Sequence, residues 1–178
     1  MKQKIALFFT LIIILLVTAC KDSGPDNRRP SLTPRVGEHM KMVHFNLPSA
    51  AENTMVDSKQ FNGKVLLVTF FATWCPPCIQ EIPTLIDLQK SYASKGFSVI
   101  GMSVDEGGVP PVKRLIDRTG INYPVLMADN EVARGFGGVT GIPVSFLVNR
   151  QGELVKKYLG YIEHDVLQDE INRMIISK

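Results

Sequence analysis

An α/β sandwich built on a mixed sheet is the fold class this sequence predicts, and three observations predict it. Strand-like and helix-like segments alternate along most of the chain. The run Val65 to Phe71, VLLVTFF, is continuously apolar, as expected of a strand buried on both faces by helices. Near the C-terminus, Val144 to Val148 and Glu153 to Leu159 flank the turn Asn149-Arg150-Gln151-Gly152, so these strands form an antiparallel hairpin. Pattern alone leaves the strand order open.

Met42 to Leu47 is short, partly alternating and strand-like, with Pro48 to end it. Thr54 to Val56 reads as a second short strand, before Asp57-Ser58-Lys59-Gln60 and the turn Asn62-Gly63. Lys64 then opens the central strand. Beyond it Ile79, Ile82, Leu85, Ile86 and Leu88 form a mainly one-sided stripe that weakens at Gln89, in a helix predicted to reach Ser94. Gly96 breaks that pattern, and Phe97 to Val104 supplies another strand. Gly107-Gly108 and Pro110-Pro111 precede a short helix, Val112 to Arg118. Tyr123 to Met127 reads as a strand entry and Asn130 to Phe136 as a short helix. Glu163 to Ile176 closes the chain as a helix, with Val166, Ile171, Met174 and Ile175 facing inward.

The central strand leads into Trp74 and then Cys75-Pro76-Pro77-Cys78. Two residues between cysteines suit one intramolecular disulfide, and equally a pair of metal thiolates. A static bridge and half of a zinc site are thus the alternatives to redox chemistry. Zinc usually needs four ligands, often from a second paired motif. The only other cysteine is Cys20, and His39, His44 and His164 make no compact second cluster, so no metal is expected. Cys75 sits where a buried strand gives way to a helix. Unpaired amide N–H groups and the positive end of the helix dipole lie there, and both favour a thiolate. Cys75 is therefore the candidate nucleophile, expected to be the more exposed and more acidic thiol, and Cys78, one turn inside the helix, its resolving partner. Pro76 and Pro77 add no charge and restrict the backbone, and proline in a first turn needs no N–H partner.

Lys2 and Lys4 precede an uncharged stretch, Ile5 to Val17, that is short for a membrane-spanning helix of about 20 residues but suits a signal-peptide core. Leu16-Val17-Thr18-Ala19-Cys20 resembles a bacterial lipoprotein processing box. The resemblance implies a signal peptide at residues 1–19, cleavage before Cys20, and acyl chains on that residue. Two or more chains give stable membrane attachment. An uncleaved anchor and simple secretion are the alternatives, and all three put the domain outside the cytoplasm. Residues 20–38 read as a lipidated flexible tether, since Lys21 to Gly37 holds four basic residues, three prolines and little apolar content. Residues 39–178 make one domain of ample size for a core. Loss of Lys2 and Lys4 takes the net charge of +3 toward zero, so no nucleic-acid partner is indicated.

Phe70-Phe71-Ala72-Thr73-Trp74-Cys75-Pro76-Pro77-Cys78 resembles the active-site segment of the thioredoxin superfamily, Gly141-Ile142-Pro143-Val144 its cis-proline loop, and Val144 to Val148 the strand after it. Cys78-Ile79-Gln80-Glu81-Ile82-Pro83, with a glutamate and then a proline after the second cysteine, resembles the membrane-tethered TlpA/ResA branch. That branch comprises extracytoplasmic thiol-disulfide oxidoreductases, several of which reduce apocytochrome c for haem attachment. The resemblance covers Met42 to Ile176. It implies a thioredoxin fold, a mixed central sheet flanked by helices, with an N-terminal β-hairpin and a central insertion containing Tyr123 to Phe136.

It also implies roles. Cys75 attacks a substrate disulfide, and Cys78 resolves the mixed disulfide. Trp74 packs beside the site, and a cis Pro143 sets the Ile142 backbone where an extended substrate can pair. Trp74, Pro76, Pro77, Ile142 and Pro143 thus become the substrate-binding residues. By sequence alone, Pro143 fits an ordinary turn proline as well. Thr69 stands where the family's buried aspartate would be. Glu81 lies three residues beyond Cys78 and close to it on the helix. The resemblance gives it the substitute role of acid-base group or modulator of the cysteine pKa, with a solvated first-turn glutamate as the alternative.

An oxidising outer compartment requires that a reductase receive electrons from inside. The resemblance implies a transmembrane thiol carrier of the DsbD/CcdA kind as partner, and disulfide-containing envelope proteins, apocytochrome c among them, as substrates of a monomer. No cofactor is expected: Gly107-Gly108 is too short and wrongly placed to cradle a pyrophosphate, and Ile79 after Cys78 rules out a haem-binding CxxCH. Three other readings use the same residues. A DsbA-like oxidase runs the chemistry backwards. A peroxiredoxin-like peroxidase would need a cysteine held by a threonine and an arginine. A non-catalytic peptide-binding lipoprotein would have no use for both cysteines.

Overall fold

A computed structural model describes residues 40–176. The expectations for the signal peptide, Cys20 and the tether lie outside the described residues. The strands are β1 (Asn46–Pro48), β2 (Met55–Asp57), β3 (Val65–Phe71), β4 (Phe97–Ser103), β5 (Val125–Met127), β6 (Val144–Val148) and β7 (Leu154–Leu159). The α-helices are α1 (Pro76–Tyr92), α2 (Val109–Thr119), α3 (Asn130–Gly135) and α4 (His164–Ile176). Five strands form one sheet in the order β5-β4-β3-β6-β7. β3, β4 and β5 are parallel, while β6 and β7 run antiparallel, so the sheet is mixed. This is a thioredoxin-like sheet with additions.

β3 is central, and every one of its residues is buried. Its alternate side chains feed two cores. Val65, Leu67 and Phe71 pack with Ile82, Leu85 and Leu88 of α1, Val112 and Leu115 of α2, and Leu167 and Ile171 of α4. Leu66, Val68 and Phe70 face Phe45, Leu47, Val132, Phe136 and Phe146 instead. There Phe70 meets Phe136 edge-on at 5.4 Å between ring centroids. Full burial of such a side chain is worth about 1.5–3 kcal/mol, so both faces of β3 contribute to holding the site end of the sheet rigid.

The structure departs from the sequence expectations at several boundaries. The first strand is Asn46–Pro48 and not Met42 to Leu47, because Pro48 keeps a place at the hairpin edge. The earlier residues instead follow the β6–β7 turn, where the Met42 N–H donates to Gly152 O at 2.7 Å. Asp57 caps a 3-10 turn, Ser58–Phe61, by accepting from the Lys59 N–H. Helix α2 begins at Val109, taking in both prolines at its N-terminus. On α4 the inward residue is Leu167, while Val166 is 45% exposed. Leu167 and Ile171 are four apart on one face, and Val166 sits a third of a turn away from it. Gln89 does more than end a stripe: its Oε1 accepts the Val99 N–H at 2.8 Å and pins α1 to β4.

Candidate active site

β3 runs toward the N-terminus of α1, and the loop after β4 ends beside it. The Val104 N–H donates to Phe71 O at 2.9 Å, which ties the two strand ends together. Antiparallel β6 begins, and β7 finishes, at this same end. The Gly160 N–H donates to Pro143 O at 2.9 Å. Residues 72–75, 104–108, 141–143 and 160–162 therefore lie toward the same end of the sheet, as the mixed topology dictates.

Cys75 and Cys78 form a disulfide with Cα atoms 5.3 Å apart. In this oxidised state the two are almost equally enclosed, at 4% and 3% exposure, so burial does not separate their roles as expected. Backbone position does. Cys75 is the N-cap of α1, in extended conformation, and Cys78 lies in its first turn. The Cys75 N–H already donates to Ala72 O at 3.2 Å, and Pro76 and Pro77 have no N–H to offer. Of the four donors that usually stand free at a helix start, only that of Cys78 remains. The amide contribution to a Cys75 thiolate is thus smaller than the motif's position alone suggests, leaving mainly the dipole of α1.

Glu81 is 1% exposed, buried in α1 three residues beyond Cys78. Burial pushes its pKa up to about 7, and the Ile162 N–H, donating to Oε1 at 3.3 Å, opposes that rise. Burial also raises the Tyr123 hydroxyl, with the Glu81 charge adding to it. The solvated-glutamate alternative therefore does not describe this side chain. Thr69, buried in β3, lies directly opposite Ser145 of β6, and neither hydroxyl finds a hydrogen-bond partner among the described residues.

The Ile142–Pro143 peptide bond is cis, with Pro143 buried and Ile142 half-buried. Trp74 does not pack into the core: its ring is 69% exposed. It lines a cleft of about 500 Å³ with Thr73, Val104, Asp105, Glu106 and Pro111. Asp105 was not foreseen from the sequence. Its carboxylate accepts from the Thr73 N–H, the Thr73 hydroxyl and the Ser103 hydroxyl. An acidic residue just past a buried strand was the one visible sign of it. Among the described residues, no group of three or more His, Cys, Asp or Glu is placed to hold a metal ion.

The redoxin family profile matches residues 35–174 of the chain. The thiol-disulfide oxidoreductase ResA of Bacillus subtilis is 28% identical over 173 residues, covering 97% of this chain and 95% of that protein. ResA of Bacillus thuringiensis is 28% identical over 123 residues, covering 69% and 70%. Among solved structures, a thiol:disulfide interchange protein of the thioredoxin family from Chlorobium tepidum superposes with a TM-score of 0.71 at 35% identity, covering 76% of this chain and 96% of that one.

Proposed function

This chain belongs to the redoxin family, and from that premise we propose that it reduces protein disulfides in the cell envelope, with Cys75 attacking and Cys78 resolving. It is a thiol-disulfide oxidoreductase of thioredoxin fold, related to ResA. The observation that carries the reductive direction is the first turn of α1, where two prolines leave a single free amide and a carboxylate is buried one turn on. A thiolate that is well stabilised makes a strong oxidant, because the reduced form is then the favoured one. Here few donors support the thiolate, and an ionised Glu81 opposes it. Both effects favour the disulfide form, which means a low potential.

In the reaction, the Cys75 thiolate attacks one sulfur of the substrate disulfide. A Cys75–substrate disulfide forms, and the other substrate sulfur leaves as a thiolate. Cys78 gives up its proton, for which Glu81 is the nearby base, and attacks the Cys75 sulfur. The Cys75–Cys78 bond closes and the second substrate sulfur leaves. The substrate gains two electrons and, from the enzyme and water, two protons. The disulfide seen between Cys75 and Cys78 is the product state of that sequence. Trp74, Pro76, Pro77 and the Ile142-Pro143 loop form the surface that meets the substrate chain, a reading supported by their place toward the same end of the sheet.

Apocytochrome c disulfides are the substrate, and a transmembrane thiol carrier of the DsbD/CcdA kind restores the dithiol. The relationship to ResA supports both. Equilibrating the domain with dithiothreitol and counting free thiols tests the direction. A potential near thioredoxin's, about −270 mV, is expected, while one near DsbA's, about −120 mV, makes the protein an oxidase and overturns the reading.

Attachment is through Cys20, acylated after removal of residues 1–19, with 20–38 as tether. The lipoprotein-like Val17-Thr18-Ala19-Cys20 supports it, and no helix among the described residues is long and apolar enough to cross a membrane. Intact mass of protein extracted from membranes should show a lipid-modified residue 20 at the N-terminus. An unmodified Cys20 in the mature chain rejects the anchor.

A further inference from the structure

We propose that Asp105 is a positioning residue of the redox site, holding the turn that presents Trp74 and Cys75 and setting a fixed negative charge beside it. This rests on the reading of Cys75 as the attacking thiol. Asp105 follows β4, and Thr73 follows β3, so parallel pairing of those strands brings together residues 32 positions apart. The Thr73 N–H donates to both carboxylate oxygens, at 3.2 and 3.0 Å, and the Thr73 hydroxyl donates at 2.5 Å. The Ser103 hydroxyl donates at 2.8 Å. The Asp105 N–H is itself bonded to the Ser103 Oγ at 3.2 Å. Each of these side-chain and backbone partners donates to the carboxylate.

The consequence for the thiol follows from distance. Thr73 and Cys75 are two residues apart, at most about 7.6 Å between Cα atoms, and the Cys75 N–H closes a turn on Ala72 O. Asp105 is 9% exposed, so its field is only partly screened by water. The carboxylate oxygens are 3.0 and 3.2 Å from the Thr73 nitrogen, two residues before Cys75. A negative charge in that neighbourhood disfavours the Cys75 thiolate but does not act on the neutral disulfide. Asp105 therefore pushes the couple in the reducing direction as well as fixing its loop. Each of the two carboxylate oxygens takes the Thr73 N–H and one hydroxyl, so both acceptors are in use.

Asp105→Asn removes the charge and keeps one acceptor oxygen. Ser103→Ala removes one donor, keeps the charge and should leave the Cys75 pKa unchanged, so the two variants together separate charge from geometry. In a Cys78→Ala background, alkylation of Cys75 over a pH series gives its pKa, and the potential is measured with both cysteines present. The expected result is a Cys75 pKa lower by half a unit or more, about threefold in thiolate fraction well below that pKa, with a less negative potential. Glu106 in the same cleft and Glu81 on α1 are present in both proteins, so the difference reports Asp105 alone. An unchanged pKa and potential, with only the melting temperature lowered, makes Asp105 a structural residue and overturns the proposal. Should Asp105→Asn fail to fold, Thr73→Val tests the tie. It is expected to attack a model disulfide several-fold more slowly at matched thiolate fraction, with Thr73→Ser restoring the rate, and a wild-type rate for Thr73→Val overturns the proposal. If Cys78→Ala traps no disulfide through Cys75, the parent assignment has failed instead, and that outcome is read separately.

Discussion

Replacing Cys75 with serine is expected to abolish disulfide reduction, bringing the rate to that of the uncatalysed exchange. Cys78→Ala is expected to complete the first half of the reaction and stop, accumulating a mixed disulfide through Cys75. The asymmetry comes from the ends of one helical turn. Cys75 caps α1 at its junction with β3, whereas Cys78 is inside the first turn and packs against the core. Groups that act as one unit lose nearly everything when either is removed, so both single variants should be inactive in turnover while only one forms a trapped adduct. Non-reducing mass spectrometry of adducts from the native envelope measures this and identifies the substrates. An adduct on Cys78 in a Cys75→Ser protein, with none on Cys75 in the Cys78→Ala protein, would reverse the roles.

Glu81→Gln is expected to change how stability depends on pH. The oxidised protein is the right material, because its paired cysteines do not titrate. The native pKa of Glu81 is raised from 4.5 to about 7 by burial. Below pH 4.5 the carboxyl is protonated in both folded and unfolded chains, so it adds no pH dependence. Between those two values the unfolded chain has released the proton and the native protein still holds it, so stability falls as pH rises. Above about 7 the loss levels off. The shift corresponds to about 3 kcal/mol, an upper figure for a buried group. His164, whose pKa is raised chiefly by its hydrogen bond to Asp87, is common to both proteins and cancels in the comparison.

The stability difference, Gln variant minus wild type, should therefore climb from pH 4.5 to about 7 and then stay level. Urea unfolding at a series of pH values measures it. Glutamine keeps an oxygen to accept the Ile162 N–H, so the backbone contact is not the variable. A difference that does not change with pH would mean that Glu81 titrates as an ordinary exposed carboxylate. The same substitution in the reduced protein should remove the charge that opposes the Cys78 thiolate above about pH 7 and speed its alkylation there.

Local physics made much of this protein legible in its sequence. The run Val65 to Phe71 is a strand from end to end, because seven consecutive buried apolar residues satisfy both faces of a covered sheet. The pair at Cys75 and Cys78 was readable because its setting is local, a strand end and a helix start. Proline in the first turn and apolar residues at helical spacing are properties of neighbouring residues. The direction of the final hairpin followed in the same way from its short turn. Three decisions belonged to the tertiary structure. The Thr73–Asp105 tie needs β3 and β4 side by side, which no local pattern encodes. Glu81 is desolvated because packing buries it, and the N–H that meets its oxygen and limits the rise comes from Ile162, 81 residues away. Gln89 looked like the fading of an apolar stripe and instead bonds the Val99 amide of β4. In each case a polar side chain gets its role from the partner that packing delivers, and periodicity reports only how apolar a face is, not what will meet it.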